Sequence, residues 1–143
     1  MALNLIDSND ISVSQTGSNI QLEIAKKPVV LFNNASGDNG EITLSDSSAN
    51  YNYLEIYFKQ QDNTYSFTRV ADPNGKAVIL MGYHITNNGY AIGISARNVL
   101  ISTNKIITQP TNRYMKSNIV STDVISGGSV ANDIYITKVV GYK

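Results

Sequence analysis

His84 is the only histidine of the chain, and there is no cysteine. A catalytic triad or an imidazole–thiolate metal site needs partners that these counts do not supply. His84 falls within an expected strand and reads as a locally hydrogen-bonded ring. The acid–base candidates are Glu23, Asp38, Glu41, Asp46, Glu55, Asp62, Asp72, Asp123 and Asp133. Glycoside hydrolysis needs two such acids flanking one bond. Most of these stand in turn-like stretches, where aspartate bonds nearby backbone groups. Glu23 and Glu55 alternate with apolar residues, and no local spacing brings two acids together. Asp38-Asn39-Gly40-Glu41, with Asp46 nearby, has a calcium loop's composition but not the EF-hand spacing. No strand–GxGxxG–helix unit, no GxxxxGK[ST] and no Gly-x-Ser-x-Gly elbow occurs. The expectation is therefore no enzyme: no catalytic residue, no cofactor and no metal site.

What remains is aromatic. There are nine tyrosines and no tryptophan. A tyrosine offers a flat apolar body and a hydroxyl, which suits packing between subunits or stacking on sugars. Tyr53 and Tyr57 stand out as the candidate ligand or interface residues. They share the polar side of the clearest strand in the chain: Leu54, Ile56 and Phe58 alternate with Tyr53, Glu55, Tyr57 and Lys59.

The elements around that strand are short and alternate with a period of two. Ile20, Leu22 and Ile24 alternate with Gln21 and Glu23; Tyr65, Phe67 and Arg69 alternate with Ser66, Thr68 and Val70. Asn33–Gly40 reads as a loop. Asp72-Pro73-Asn74-Gly75 reads as a turn with Pro73 at its first central position and Gly75 at its exit. Asn87-Asn88-Gly89 and Thr103-Asn104 read as hairpin turns, and Gln109-Pro110-Thr111-Asn112 as a break. Nowhere do apolar residues keep a helical period for two turns. The expected fold is all-β, an antiparallel sandwich or jelly-roll-like domain over residues 29–143. Residues 1–28 read as a separable strand or hairpin, either a hairpin of the main domain or an arm that docks on a partner. The expected core is Leu22, Ile24, Leu31, Ile42, Leu44, Leu54, Ile56, Phe58, Leu80, Ile92, Ile94, Ile134 and Ile136.

Eleven basic and eleven acidic residues cancel. Without a net positive charge or a basic cluster, nucleic acid and anionic membranes are not expected partners. No apolar run approaches the roughly 20 residues of a membrane span, and the N-terminus lacks a signal-peptide pattern.

Three passages carry a resemblance. They are Val30-Leu31-Phe32 leading into Gly40-Glu41-Ile42-Thr43-Leu44-Ser45-Asp46-Ser47, then Asn50-Tyr51-Asn52-Tyr53-Leu54-Glu55-Ile56-Tyr57-Phe58, then Ile134-Tyr135-Ile136-Thr137-Lys138-Val139-Val140-Gly141-Tyr142-Lys143. From Val29 onward the chain resembles a domain of structural proteins from bacteriophages that infect Gram-positive bacteria. The resemblance implies a tail, baseplate or fibre-associated virion protein, made in a host cytoplasm. It implies assembly with other virion proteins and with copies of itself, a trimer being favoured by analogy, and contact with a host surface glycan. It carries over no active site. The alternatives are a free-standing carbohydrate-binding module and, behind it, a small cell-wall glycan hydrolase.

Overall fold

A computed structural model describes the backbone of residues 11–16, 19–24, 27–60, 63–85, 91–118, 124–128 and 134–143. Side chains are described for residues 27–60, 63–83, 94–108 and 134–143. The strands are β1 (Ile11–Thr16), β2 (Asn19–Ile24), β3 (Val29–Asp38), β4 (Ile42–Thr43), β5 (Tyr53–Gln60), β6 (Tyr65–Ala71), β7 (Ala77–Ile85), β8 (Ala91–Ile101), β9 (Lys105–Asn118), β10 (Val124–Gly128) and β11 (Ile134–Tyr142). Among the described residues the only helical element is a 3₁₀ turn, Ser48–Asn50, opened by the Ser47 side chain accepting from the Ala49 N–H.

The fold is nearly all β, with two antiparallel sheets in a sandwich arrangement. One sheet has the order β3-β11-β5-β6. The other has the order β10-β9-β8-β7, with β4 also paired to β9. β1 and β2 pair with each other as a separate two-stranded sheet. The β6–β7 turn carries the chain from one sheet to the other. It sits one residue later than the sequence suggests: the Lys76 N–H donates to the Pro73 carbonyl (3.1 Å), and Gly75 takes φ +77° as a central residue. Asp72 is held back because its N–H still pairs with the Asn52 carbonyl (2.8 Å).

The core follows the alternation of β5. Leu54, Ile56 and Phe58 have no exposed surface, and they meet Ile134, Ile136 and Val139 of β11. Leu80, Val99, Ile101 and Ile106 close the core from the second sheet. Each such side chain contributes roughly 1.5–3 kcal/mol by leaving water. Tyr51 joins them, 4% exposed, because Gly141 leaves room for its ring. Of the expected core, Leu31, Ile42, Leu44, Leu54, Ile56, Phe58, Leu80, Ile134 and Ile136 are buried. Leu22, Ile24 and Ile92 lie outside the described side chains.

Ile94 is a correction: it is 38% exposed. On β8 the inward set is Ser95, Arg97, Val99 and Ile101, all buried, so the opposite parity faces water. Val99 and Ile101 decide the register, and Arg97 is tolerated inside because its guanidinium finds carbonyls. Its Nη1 donates to Ile134 O (2.8 Å) and its Nη2 to Asn39 O. Burial lowers the Arg97 pKa, opposed by the charges of Tyr135 and Asp38.

Two expected breaks are bulges inside strands. β3 continues through the Asn33–Gly40 segment as far as Asp38, with irregular register against β11 between Asn33 and Asp38. Asn34 organises that excursion, accepting from Ser36 N (3.1 Å) and donating to Gly37 O (3.4 Å). Likewise β9 runs through Pro110, and its pairing to β8 slips between Thr108 and Asn112. A proline within a sheet belongs at such a bulge.

Candidate binding surface

Glu55 stands at the middle of β5 on the side that faces away from the core. The cross-strand register puts Arg69 of β6 beside it on one flank and Val140 of β11 on the other. Tyr57 follows two residues along β5, and Tyr142 two along β11, so all four polar groups share one face. The Glu55 carboxylate accepts from the Tyr57 hydroxyl (2.7 Å), the Tyr142 hydroxyl (2.9 Å), Arg69 Nη2 (2.6 Å) and Arg69 Nε (3.2 Å). It is only 5% exposed although it lies on an outer face. These donors hold its pKa below the usual carboxylate value, the Tyr57 bond most and the Arg69 bond next. The same Glu55 bond, helped by burial, pushes the Tyr57 phenol up to about 12. Tyr142 is raised for the same first reason.

The two tyrosines singled out from sequence, Tyr53 and Tyr57, both stand on this face. Each is enclosed by its neighbours. Tyr53 stacks on Tyr142 at 4.5 Å between centroids, with an interplanar angle of 11°. The Arg69 guanidinium lies 4.7 Å from the Tyr53 centroid, and it comes from the strand on the other side. Tyr57 stacks on Phe67 of β6 at 5.5 Å, and Lys138 Nζ of β11 lies 5.9 Å from its centroid. Each ring is thus flanked by one group from β6 and one from β11. The Tyr57 hydroxyl is in addition held by Glu55. Beyond them, Phe67 (54%) and Tyr65 (64%) are exposed along β6.

The other sequence candidates disperse. Glu41 pairs with Lys105 at 2.5 Å in an exposed position. Asp38 Oδ1 accepts from the Gly40 N–H (2.8 Å), a local turn bond. Asp46 accepts from Tyr51, Asn50 and the Ser47 N–H; the Tyr51 bond does most to lower its pKa. Tyr51, pushed up to about 12 first by burial and then by that bond, is a core residue. Among the described residues no group of three or more His, Cys, Asp or Glu could hold a metal ion. The side chains of Glu23, Asp62, His84, Tyr90, Tyr114, Asp123 and Asp133 lie outside the described residues.

An open recess of about 320 Å³ lies at one end of the sandwich, between the 3₁₀ turn and the β6–β7 turn. Asn50, Asn52, Asp72 and Asn74 line it with Tyr51 and Pro73. Asn74 also accepts from Ser48 and Thr103 hydroxyls, both at 3.4 Å, which ties the two turns together. Sequence reasoning did not find the recess, because its walls come from segments far apart in the chain. Among the described residues no helix is long and apolar enough to cross a membrane. No protein-family model matches the chain, and no curated protein matches it.

Proposed function

We propose that the chain is a structural module of a bacteriophage particle, placed in the tail, baseplate or fibre, that works by surface contact and not by catalysis. It assembles with other virion proteins, and its outer sheet face is the contact surface. The observation that carries contact over chemistry is the state of Glu55. A general acid or a nucleophile must have a free lone pair or proton to offer. Glu55 has four donors on it and a depressed pKa. It serves as the fastener of a face built from tyrosine and arginine, the residue types that dominate protein interfaces. Such a face has already lost its side-chain freedom, which lowers the cost of association. Antibody against the chain, used for gold labelling of particles released on lysis of cells carrying the gene, is expected to decorate the tail or its tip. Label found only in the soluble fraction contradicts the proposal.

A free-standing carbohydrate-binding module is the second reading, and the polar recess is what favours it. Sugar hydroxyls need clustered amides and a carboxylate, as Asn50, Asn52, Asp72 and Asn74 provide. Tyr53 and Tyr57 support it less, because sugar stacking needs an open ring face and theirs are flanked. A glycan array with purified protein decides: binding lost in Asn52→Ala with Asp72→Ala supports it, and an array without signal removes it.

A further inference from the structure

We infer that the β1–β2 hairpin of one copy docks, by its apolar side, on the outer face of the β7–β8 strands of a neighbouring copy. The register of the hairpin sets Ile11 opposite Ile24, Val13 opposite Leu22 and Gln15 opposite Ile20. Cross-strand partners share a face, and neighbours along a strand alternate between faces. That face is therefore Ile, Val or Leu at every position but Gln15, and the other face has Ser12, Ser14, Thr16, Asn19, Gln21 and Glu23. A two-stranded sheet is marginal in water unless such an apolar face is covered. Among the described residues β1 and β2 pair only with each other.

The second sheet has a matching face. On β7, Ile79, Met81 and Tyr83 alternate with the buried Leu80 and Gly82, so the three share the side away from the core. They are 61%, 61% and 76% exposed. Their register partners on β8 are Asn98, Ala96 and Ile94, and Ile94 is exposed as well. From Ala77 to Tyr83 and from Ile94 to Leu100 no outward residue is charged. An apolar, uncharged face left in water marks an interaction surface. It is two strands wide and about 13–14 Å long between Ile79 and Tyr83. The hairpin is also two strands wide, and strands of its length reach about 17–20 Å. Two sheet faces of this kind pack about 10 Å apart, as in a sandwich.

The hairpin of the same chain does not reach this face. Even fully extended, the residues between Ile24 and Val29 span no more than about 18 Å. Val29 opens β3, which stands at the far end of its sheet from β6, and β6 leads through a turn into β7. A hairpin on the outer face of the second sheet lies two sheet spacings, about 20 Å, from the layer of β3. The path must also turn round the sandwich and cross toward β7. A neighbouring copy's hairpin has no such restriction. The outer face of the hairpin's own sheet neighbour, β3-β11-β5-β6, lies nearer, but it carries Lys59, Arg69 and Lys138. An apolar hairpin laid there would cut these charges off from water.

The exchange gives the self-association of the virion reading a contact, yet it stands apart from that reading, because its test needs no particle. The chain has no cysteine, so single introduced cysteines report one contact at a time. Purified Leu22→Cys chain, carrying an affinity tag, is mixed with untagged Met81→Cys chain and oxidised. The expected product is a disulfide-linked pair with one chain of each kind, at twice the 15.6 kDa of the chain. Glu23→Cys, on the polar face of the hairpin, should give far less of it in place of Leu22→Cys. Phe67→Cys, on the outer face of the other sheet, should do the same in place of Met81→Cys. With Leu22→Cys and Met81→Cys in one chain, the link should again join two chains. In sedimentation over a wide concentration range, Val13→Asp should weaken self-association by about 100-fold or more, since it puts a carboxylate into the docked face. Met81→Asp should do so from the receiving side with its thermal melt unchanged. A link within one chain, a yield no greater than with Glu23→Cys or Phe67→Cys, or a monomer at every concentration overturns the inference.

Discussion

Glu55 is a charged residue held on a sheet face by its neighbours alone, and its chemistry is open to titration. Its folded pKa is depressed, so the stability it contributes is present above its unfolded value near 4.3 and is lost as pH falls through the folded value. Thermal melts should therefore hold from about pH 5 upward and fall below about pH 4. The tyrosines act with the opposite sign. The Tyr57 pKa is raised to about 12, so its contribution is complete below about pH 10 and is lost as pH climbs toward 12. Glu55→Gln should lower stability by about 1–3 kcal/mol near neutral pH, because three donor side chains lose a charged acceptor. The same variant should flatten the acid limb of the profile; an unchanged acid limb would mean that other carboxylates control it. The part of this cluster on β5 was legible in the sequence, since Tyr53, Glu55 and Tyr57 alternate with Leu54, Ile56 and Phe58. Its completion by Tyr142 was not legible. That contact depends on β11 lying beside β5, and strand order leaves no mark in local periodicity.

At the scale of elements, two glycines show where backbone and side chain interlock. Gly141 of β11 lies under the Tyr51 ring, and a Cβ there would overlap Tyr51 carbon atoms. Tyr51 has little room to move, because its hydroxyl is bound to Asp46 at 2.8 Å. Gly141→Ala should cost about 1–3 kcal/mol or more, read as a shift in the denaturant midpoint. Gly82 of β7 faces Gln60 in the same way, with the nearest Gln60 atoms 2.7 Å from a built Cβ. Gly82→Ala should displace the Gln60 amide from the Tyr83 carbonyl and lower stability by a similar amount. Element type was readable from alternation, and element ends less so. Asn33–Asp38 and the Pro110 region carry loop chemistry, yet each shifts register by bulging and the strand pairs with its neighbour again on either side, because a strand edge offers hydrogen bonds that a free loop lacks. On β8 the parity failed at Ile94 because a polar pair, Ser95 and Arg97, takes the inward positions. For Arg97, the carbonyls of Ile134 and Asn39, supplied by distant segments, offset the burial of two of its guanidinium nitrogens.

The sandwich follows from burying one face of each of its two sheets, as the described core residues show. Phe58→Ala, at the centre of that contact, should cost about 3–5 kcal/mol. The outward faces then differ in kind: one carries the fastened tyrosine–arginine cluster, the other an uncharged terminal strand. The most direct test of the account concerns the first of these. Particles assembled with the chain carrying Phe67→Ala and Lys138→Ala, two outer positions that leave the Glu55 hydrogen bonds in place, should contain far less of it than wild-type particles by quantitative blotting, while the purified variant keeps its melting temperature. Incorporation at the wild-type level by an equally stable variant would contradict the assignment of that face to assembly.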